Sequence, residues 1–317
     1  MPPRVSVNVC CYNAQRYLEP TLHSIFAQTF TDWELVIVND GSTDGTDAII
    51  RRHVEAGRPI VYHVQPNTGL SASRNEALRR SSGQLIAFLD HDDLWEPTKL
   101  EKQVPLFDRS PRVGVVYADC VNFAEDGFSY RQFEKHPPHR GMVFDALLRD
   151  YFPNLQTVIV RRAAFDDLAH WFDPRLGLVE EADLLLRLAQ HWAFDYVDEP
   201  LARWRLHAVS SSRRHRERFP DEMEILLQNQ LNDPSVERTY AGAVEACRLE
   251  ILRLRARILW EQGRGAEAAR LLAGSRFASA AALRDYVLMR TLSPRSAERI
   301  KRVRRWFGAA PEQRTGC

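Results

Sequence analysis

Apolar positions in the first 120 residues fall into short runs separated by stretches with helical spacing. Strands are predicted at Val5–Cys10, Leu35–Asn39, Ile60–Val64, Leu85–Leu89 and Val113–Tyr117. Between them, helices are predicted at Tyr17–Ala27, about Asp44 to Glu55, Ser71–Arg80 and Pro97–Phe107, the last with Pro97 near its first turn, where proline is tolerated. Short buried runs alternating with amphipathic helices predict an α/β fold, a largely parallel sheet with helices on both faces.

The pattern weakens from about Glu125 to Pro153, around Pro137-Pro138, and an insertion that is flexible or faces a substrate is expected there. It returns with Thr157–Val160, a helix at Val179–Gln190, and strands at Phe194–Val197 and Leu201–Leu206. Beyond about Arg213 strand signals stop and the chain is rich in Leu, Ala and Arg, with Gly263–Gly265 separating two helical runs. The division expected is a catalytic domain over 1–212 and a helical appendage over 213–317.

Composition adds constraints more than identity. Of 317 residues, 44% are hydrophobic and 27% charged, ordinary for a globular protein, and a formal net charge of +1 gives no footprint for nucleic acid. No run reaches the roughly 18 apolar residues of a spanning helix, and the N-terminus lacks a signal-peptide pattern. Five cysteines without a C-x-x-C pair point to reduced, buried thiols and a cytoplasmic setting.

In open α/β sheets ligands bind outside the carboxyl ends of the strands. The loops there are Cys11–Asn13, Asp40–Asp44, Pro66–Leu70 and Asp90–Asp93. Asp40, followed by Gly41 and Ser42, can accept hydrogen bonds from a base or ribose, although Asp40-Gly41 also reads as a turn and Asp44 as a helix cap. Asp90-His91-Asp92-Asp93 puts three carboxylates in four residues at a strand end; hard oxygen ligands at that density suit Mg²⁺ or Mn²⁺ carrying a diphosphate. Arg74, in the first turns of a helix after Gly69, can reach a phosphate or one of those carboxylates, or stay on the surface. Glu180, Glu181 and Asp183 open a helix, where acidic residues complement its dipole; one of them is alternatively a general base, and spacing does not choose. Strand alternation puts Arg205 and His207 on one face, placed to steady a leaving diphosphate.

Taken together these segments resemble the large family 2 glycosyltransferases with the glycosyltransferase-A fold. The resemblance runs from Val5-Ser6-Val7 and Tyr12-Asn13 through Leu22, Ser24-Ile25 and Gln28-Thr29-Phe30. It then takes in Val38–Thr46, Asn67–Asn75, Phe88–Trp95, Glu180–Arg187 and Trp204–Ser210, so that seven motifs fall in order over residues 4–212. It implies that the loop of Cys11, Tyr12 and Asn13, with Asp40, holds uridine or another nucleoside, a UDP-sugar being favoured. Asp92 would lie on the ribose–phosphate side, Asp93 would be the main metal ligand with Asp90 nearby, and His207 would face the diphosphate.

The family pattern places a Glu-Asp pair before the helix at 180; here it reads Glu180-Glu181, so Glu181 takes the position of the base. Cys10-Cys11 likewise replaces a Pro-Thr or Pro-Ala pair, and Asn8 interrupts the first apolar run. The implied reaction is a single inverting displacement from a nucleoside-diphosphate sugar to a hydroxyl of a saccharide or lipid-linked acceptor. The competing classes are a nucleotidyltransferase, which would want a Gly-rich loop after the first strand, and a sugar-nucleotide-binding module without turnover. Thr291–Phe307 carries six basic residues (Arg295, Arg299, Lys301, Arg302, Arg304, Arg305) among apolar ones. It reads either as a helix lying on the inner face of an anionic membrane or as a solvated helix packed on its own domain.

Overall fold

The computed structural model describes residues 2–207, 214–294 and 296. The chain divides into two compact units, one comprising Met1–Arg216 with Ile225–Val244, the other Glu217–Glu224 with Glu245–Cys317.

The first unit begins β1 (Val5–Cys11), α1 (Leu18–Phe26), β2 (Trp33–Asp40), α2 (Thr46–Glu55), β3 (Ile60–Gln65), α3 (Leu70–Arg80) and β4 (Leu85–Phe88). All seven residues of β1 are buried, including the two polar ones: the Ser6 hydroxyl donates to Glu34 at 2.6 Å and the Asn8 side-chain oxygen accepts from Ser81 Oγ at 2.8 Å. β2 lies parallel to β1, β3 parallel to β2, and the chain then crosses back so that β4 pairs with the other edge of β1. This reversal makes a topological switch point between β1 and β4, where a crevice opens at the carboxyl ends of both strands.

The remainder adds β5 (Leu94–Trp95), α4 (Lys99–Arg109), β6 (Val113–Ala124), β7 (Ser129–Arg131), α5 (Gln132–Lys135), α6 (Phe144–Arg149), β8 (Ile159–Arg161), α7 (Glu180–Ala189) and β9 (Ala193–Leu206). The sheet order is β3-β2-β1-β4-β8-β6-β9-β5, with β7 on β6. β8 runs antiparallel to both β4 and β6, while β9 runs parallel to β6, so the sheet is mixed beyond β4. The two strands expected at Phe194–Val197 and Leu201–Leu206 form one continuous strand. Pro200 stands where the β6–β9 register shifts beside Asp119, so its missing N–H leaves no gap in a regular ladder. The segment from Glu125 to Pro153, which shows little pattern in sequence, contains β7 and two short helices.

Helices follow among the described residues at α8 (Phe219–Leu231), α9 (Pro234–Thr239), α10 (Ala241–Glu261), α11 (Gly265–Leu272) and α12 (Ala280–Thr291). The Asp233 and Ser279 side chains cap α9 and α12 by accepting from the Ser235 and Ala282 amides. The second unit has its own apolar cluster of Ala256, Trp260, Ala268, Ala269, Leu272 and Met289, and the Trp260 indole donates to the Leu292 carbonyl at 2.8 Å. Among the described residues no helix is long and apolar enough to cross a membrane. The basic segment at Thr291–Phe307 lies, past its first residues, outside the described ones.

Candidate active site

The loops after β1 and β2 are knitted into one floor. Asn13 sits at φ +50°, its amide donates to Ser42 Oγ at 3.0 Å, and its side-chain oxygen accepts from the Thr43 amide at 2.9 Å. The Ala14 amide donates to Thr46 Oγ1 at 2.8 Å, and Asp44 accepts from the Gln15 and Thr46 amides. Tyr12 is 48% exposed at the rim of this floor, while Cys11 is buried. Burial pushes the Cys10 thiol up to about 12 and the Cys11 thiol well above its usual value, which leaves both protonated and unreactive.

Asp40 is buried and its carboxylate organises the neighbouring loop. It accepts from the Thr68 amide at 2.9 Å, the Gly69 amide at 2.9 Å and the Gln65 side chain at 2.8 Å. Gly41 is required beside it: φ is +73°, and a Cβ there would stand 2.7 Å from the Asn67 amide nitrogen.

The acidic sequence after β4 splits between two depths. Asp90 is 29% and Asp92 20% exposed at the side chain, whereas Asp93 is wholly buried. One Asp93 oxygen accepts from the Arg205 amide at 2.7 Å; the other has no hydrogen-bond partner among the described residues. Burial first, then the charges of Asp92 and Asp90, push the Asp93 pKa well above the usual carboxylate range. Asp92 meets both residues that β9 was expected to supply. Its carbonyl accepts from Arg205 Nε at 3.0 Å, and its carboxylate lies 2.8 Å from His207 Nε2. His91 turns away, with Nδ1 3.2 Å from the Cys10 carbonyl.

Arg74 is not a surface residue. It is 3% exposed, donates to Asp90 at 3.0 Å, pairs with Glu180, and lies 3.8 Å from Glu181. Burial alone would lower its pKa, but the carboxylates of Asp90, Glu180 and Glu181 raise it, so the guanidinium is a fixed cation at the centre of three acids. Phe172 packs 5.5 Å under it. Glu180 is fully enclosed, whereas Glu181 keeps 28% of its side chain exposed. Burial, then the neighbouring charges of Glu180 and Asp90, push the Glu181 pKa up to about 8 against the opposing pull of Arg74.

Two site residues escaped sequence reasoning. Gln156 clamps Asp90 from both sides, accepting from its amide at 2.7 Å and donating to its carboxylate at 2.7 Å. Tyr151 is half-buried with its hydroxyl enclosed; burial first, then the charge of Glu181, pushes its phenol well above the usual value. Tyr151 comes from the segment where periodicity is weak and Gln156 from the residues just after it, and a lone Gln or Tyr there carries no motif.

Asp92 and His207 put a carboxylate and an imidazole 2.8 Å apart, with the Asp90 carboxylate, held by Arg74 and Gln156, in the same loop; such oxygen-rich donors suit a divalent cation such as Mn²⁺ or Mg²⁺. The buried, unsatisfied Asp93 oxygen fits the same reading, since a nearby cation would offset the repulsion that holds its pKa up.

The family model for glycosyl transferase family 2 matches residues 6–168. The chain belongs to glycosyl transferase family 2. Among curated members it is 36% identical over 162 residues to the putative teichuronic acid biosynthesis glycosyltransferase TuaG of Bacillus subtilis (strain 168), a match covering 50% of this chain and 63% of that one. The chain thus spans less than two thirds of that relative. Two solved structures of low identity share the fold. S. aureus TarS 1–349 in complex with UDP-GlcNAc has a TM-score of 0.62 at 20% identity, over 85% of this chain and 83% of that one. A mannosyltransferase from Pyrobaculum calidifontis in complex with GDP-Man and Mn²⁺ has 0.60 at 21%, over 98% and 88%. The family's glycosyltransferase-A fold, a curled and mostly parallel sheet followed here by helices, is the architecture expected from the sequence.

Proposed function

We propose that this chain transfers a glycosyl group, with inversion, from a nucleoside-diphosphate sugar to an acceptor hydroxyl. The observation that carries the reading is the meeting of Asp92, His207 and Arg205 at the β1/β4 switch point, with Arg74 bonded to Asp90 and 3.8 Å from Glu181. The loop of Cys11, Tyr12 and Asn13 would hold the nucleoside over the floor that Asp40 braces. A UDP-sugar is the favoured donor, as in the TarS complex with UDP-GlcNAc.

A divalent cation at this site would neutralise charge on the departing nucleoside diphosphate. Asp92 and His207 would hold it, with Asp90 at the rim. This moves the principal ligand away from Asp93, where the sequence motif put it, because Asp93 is fully buried and one oxygen already holds the Arg205 amide. Asp93 would then act from below as a fixed negative charge. Arg205, fixed by its bond to the Asp92 carbonyl, would face the phosphates.

Glu181 would take the proton from the acceptor hydroxyl as it attacks the anomeric carbon. Its raised pKa makes it a stronger base once ionised, and Arg74 keeps it oriented. The longer Glu side chain, in place of the family's Asp, keeps the chemistry but shifts the carboxylate by about one methylene. The acceptor proposed is a saccharide or lipid-linked glycan, a class suggested by the name of the TuaG relative.

The test is release of nucleoside diphosphate from a panel of nucleotide sugars, with acceptor extracts and Mn²⁺. Glu181→Gln should lower turnover by about 10²–10⁴-fold while leaving donor binding intact. Wild-type turnover retained in Glu181→Gln would remove Glu181 as the base.

A further inference from the structure

The crossover helices α1, between β1 and β2, and α2, between β2 and β3, bring together Glu19, His23 and His53. Glu19 and His23 stand four residues apart, on one face of α1, and His53 approaches from the last turn of α2. His23 Nε2 and His53 Nε2 lie 3.3 Å and 3.1 Å from the same oxygen, Glu19 Oε1, and the three donor atoms fall within 4.8 Å of one another. In a tetrahedral zinc site with ligand bonds near 2.0–2.2 Å, adjacent ligand atoms are roughly 3.4 Å apart, so these separations are already close to coordination edges.

The surroundings fix the ligands without occupying the donors. Arg52 takes the second Glu19 oxygen at 2.7 Å, leaving Oε1 turned to the imidazoles. The His53 ring is mostly buried and packs 5.3 Å from Phe26. His23 is 67% exposed, which leaves an entry path and room for a water as fourth ligand. None of these residues touches the acidic cluster of the proposed active site.

We propose that Glu19, His23 and His53 form a second metal site, for Zn²⁺ or a similar nitrogen-seeking transition ion, that ties α1 to α2. Two imidazoles and one carboxylate select against Mg²⁺ and Mn²⁺, which prefer oxygen donors. The site differs in ligand type from the carboxylate-rich one, so the two sites are separable by ion as well as by mutation. Because α1 and α2 start where the Ala14, Asp44 and Thr46 bonds join their loops, bound zinc would also stiffen the proposed nucleotide floor.

The test is zinc titration of the full chain by competition with a chromophoric chelator, for wild type, His23→Ala, His53→Gln and Asp92→Asn. His23 is exposed, so its removal leaves the core intact. The expected result is one equivalent fewer of bound zinc in both histidine variants, and retention of that equivalent in Asp92→Asn. Zinc should also raise the melting midpoint of wild type but not of His23→Ala, and Co²⁺ should give a visible d–d band that His23→Ala removes. Equal zinc stoichiometry in wild type and His23→Ala would overturn the proposal, whatever the outcome for sugar transfer.

Discussion

Removing Arg74 takes away the cation that three carboxylates share. In Arg74→Met the side chain keeps much of its volume, but Glu180, enclosed at 3% side-chain exposure, loses the guanidinium that pairs with it, and Asp90 and Glu181 lose the same cation. Breaking a buried ion pair by deleting one partner costs about 3–5 kcal/mol, because the remaining charge stays desolvated. Asp90 keeps its Gln156 clamp, so the larger part of the loss should come from Glu180. A cost of that order is expected in urea unfolding of Arg74→Met, read through hydrogen exchange of α3 and α7 so that the second unit does not obscure it. Arg74→Met combined with Glu180→Gln should be more stable than Arg74→Met alone, since one of the like charges gathered there is gone. Arg74→Lys should fall between, because one ammonium cannot fork between Asp90 and Glu180. A loss below about 1 kcal/mol in Arg74→Met, or no recovery in the double variant, would refute the claim that this ion cluster anchors the site.

Titration of Glu181 should appear in kcat/KM. If Glu181 acts ionised, activity falls as pH drops through a midpoint near 8, and Glu180→Gln should move that limb to lower pH by removing the like charge and strengthening the pull of Arg74; an unmoved limb would detach Glu180 from the titration. Gln156→Leu should release Asp90 from its two 2.7 Å bonds and weaken metal-supported nucleotide binding with little change in fold, as measured by calorimetry and circular dichroism.

What the sequence revealed depended on how local each signal was. The apolar runs of β1, β2 and β4 are complete within themselves, and the carboxyl-end rule pointed from them to the loops that meet at the switch point. Arg205 and His207 alternate along one strand, and both do converge on Asp92. The choice between a surface and a buried Arg74 could not be made from residues 70–80, because Glu180 reaches it from 106 positions away and Phe172 from a third segment. Nor does a row of three acids say which is open to a ligand: the turn after β4 sends Asp93 inward to the Arg205 amide and leaves Asp92 partly exposed. Gln156 acts only through its two bonds to Asp90, a contact with no period or motif behind it.

The measurement that tests the central claim most directly is isothermal titration of nucleoside diphosphates and their sugars, with and without Mn²⁺, into wild type and Asp92→Asn. The account expects one nucleotide class to bind wild type with Mn²⁺, to weaken markedly without it, and to lose its metal dependence in Asp92→Asn. Binding that is indifferent to Mn²⁺ and to Asp92→Asn, or no binding of any nucleotide, would contradict it.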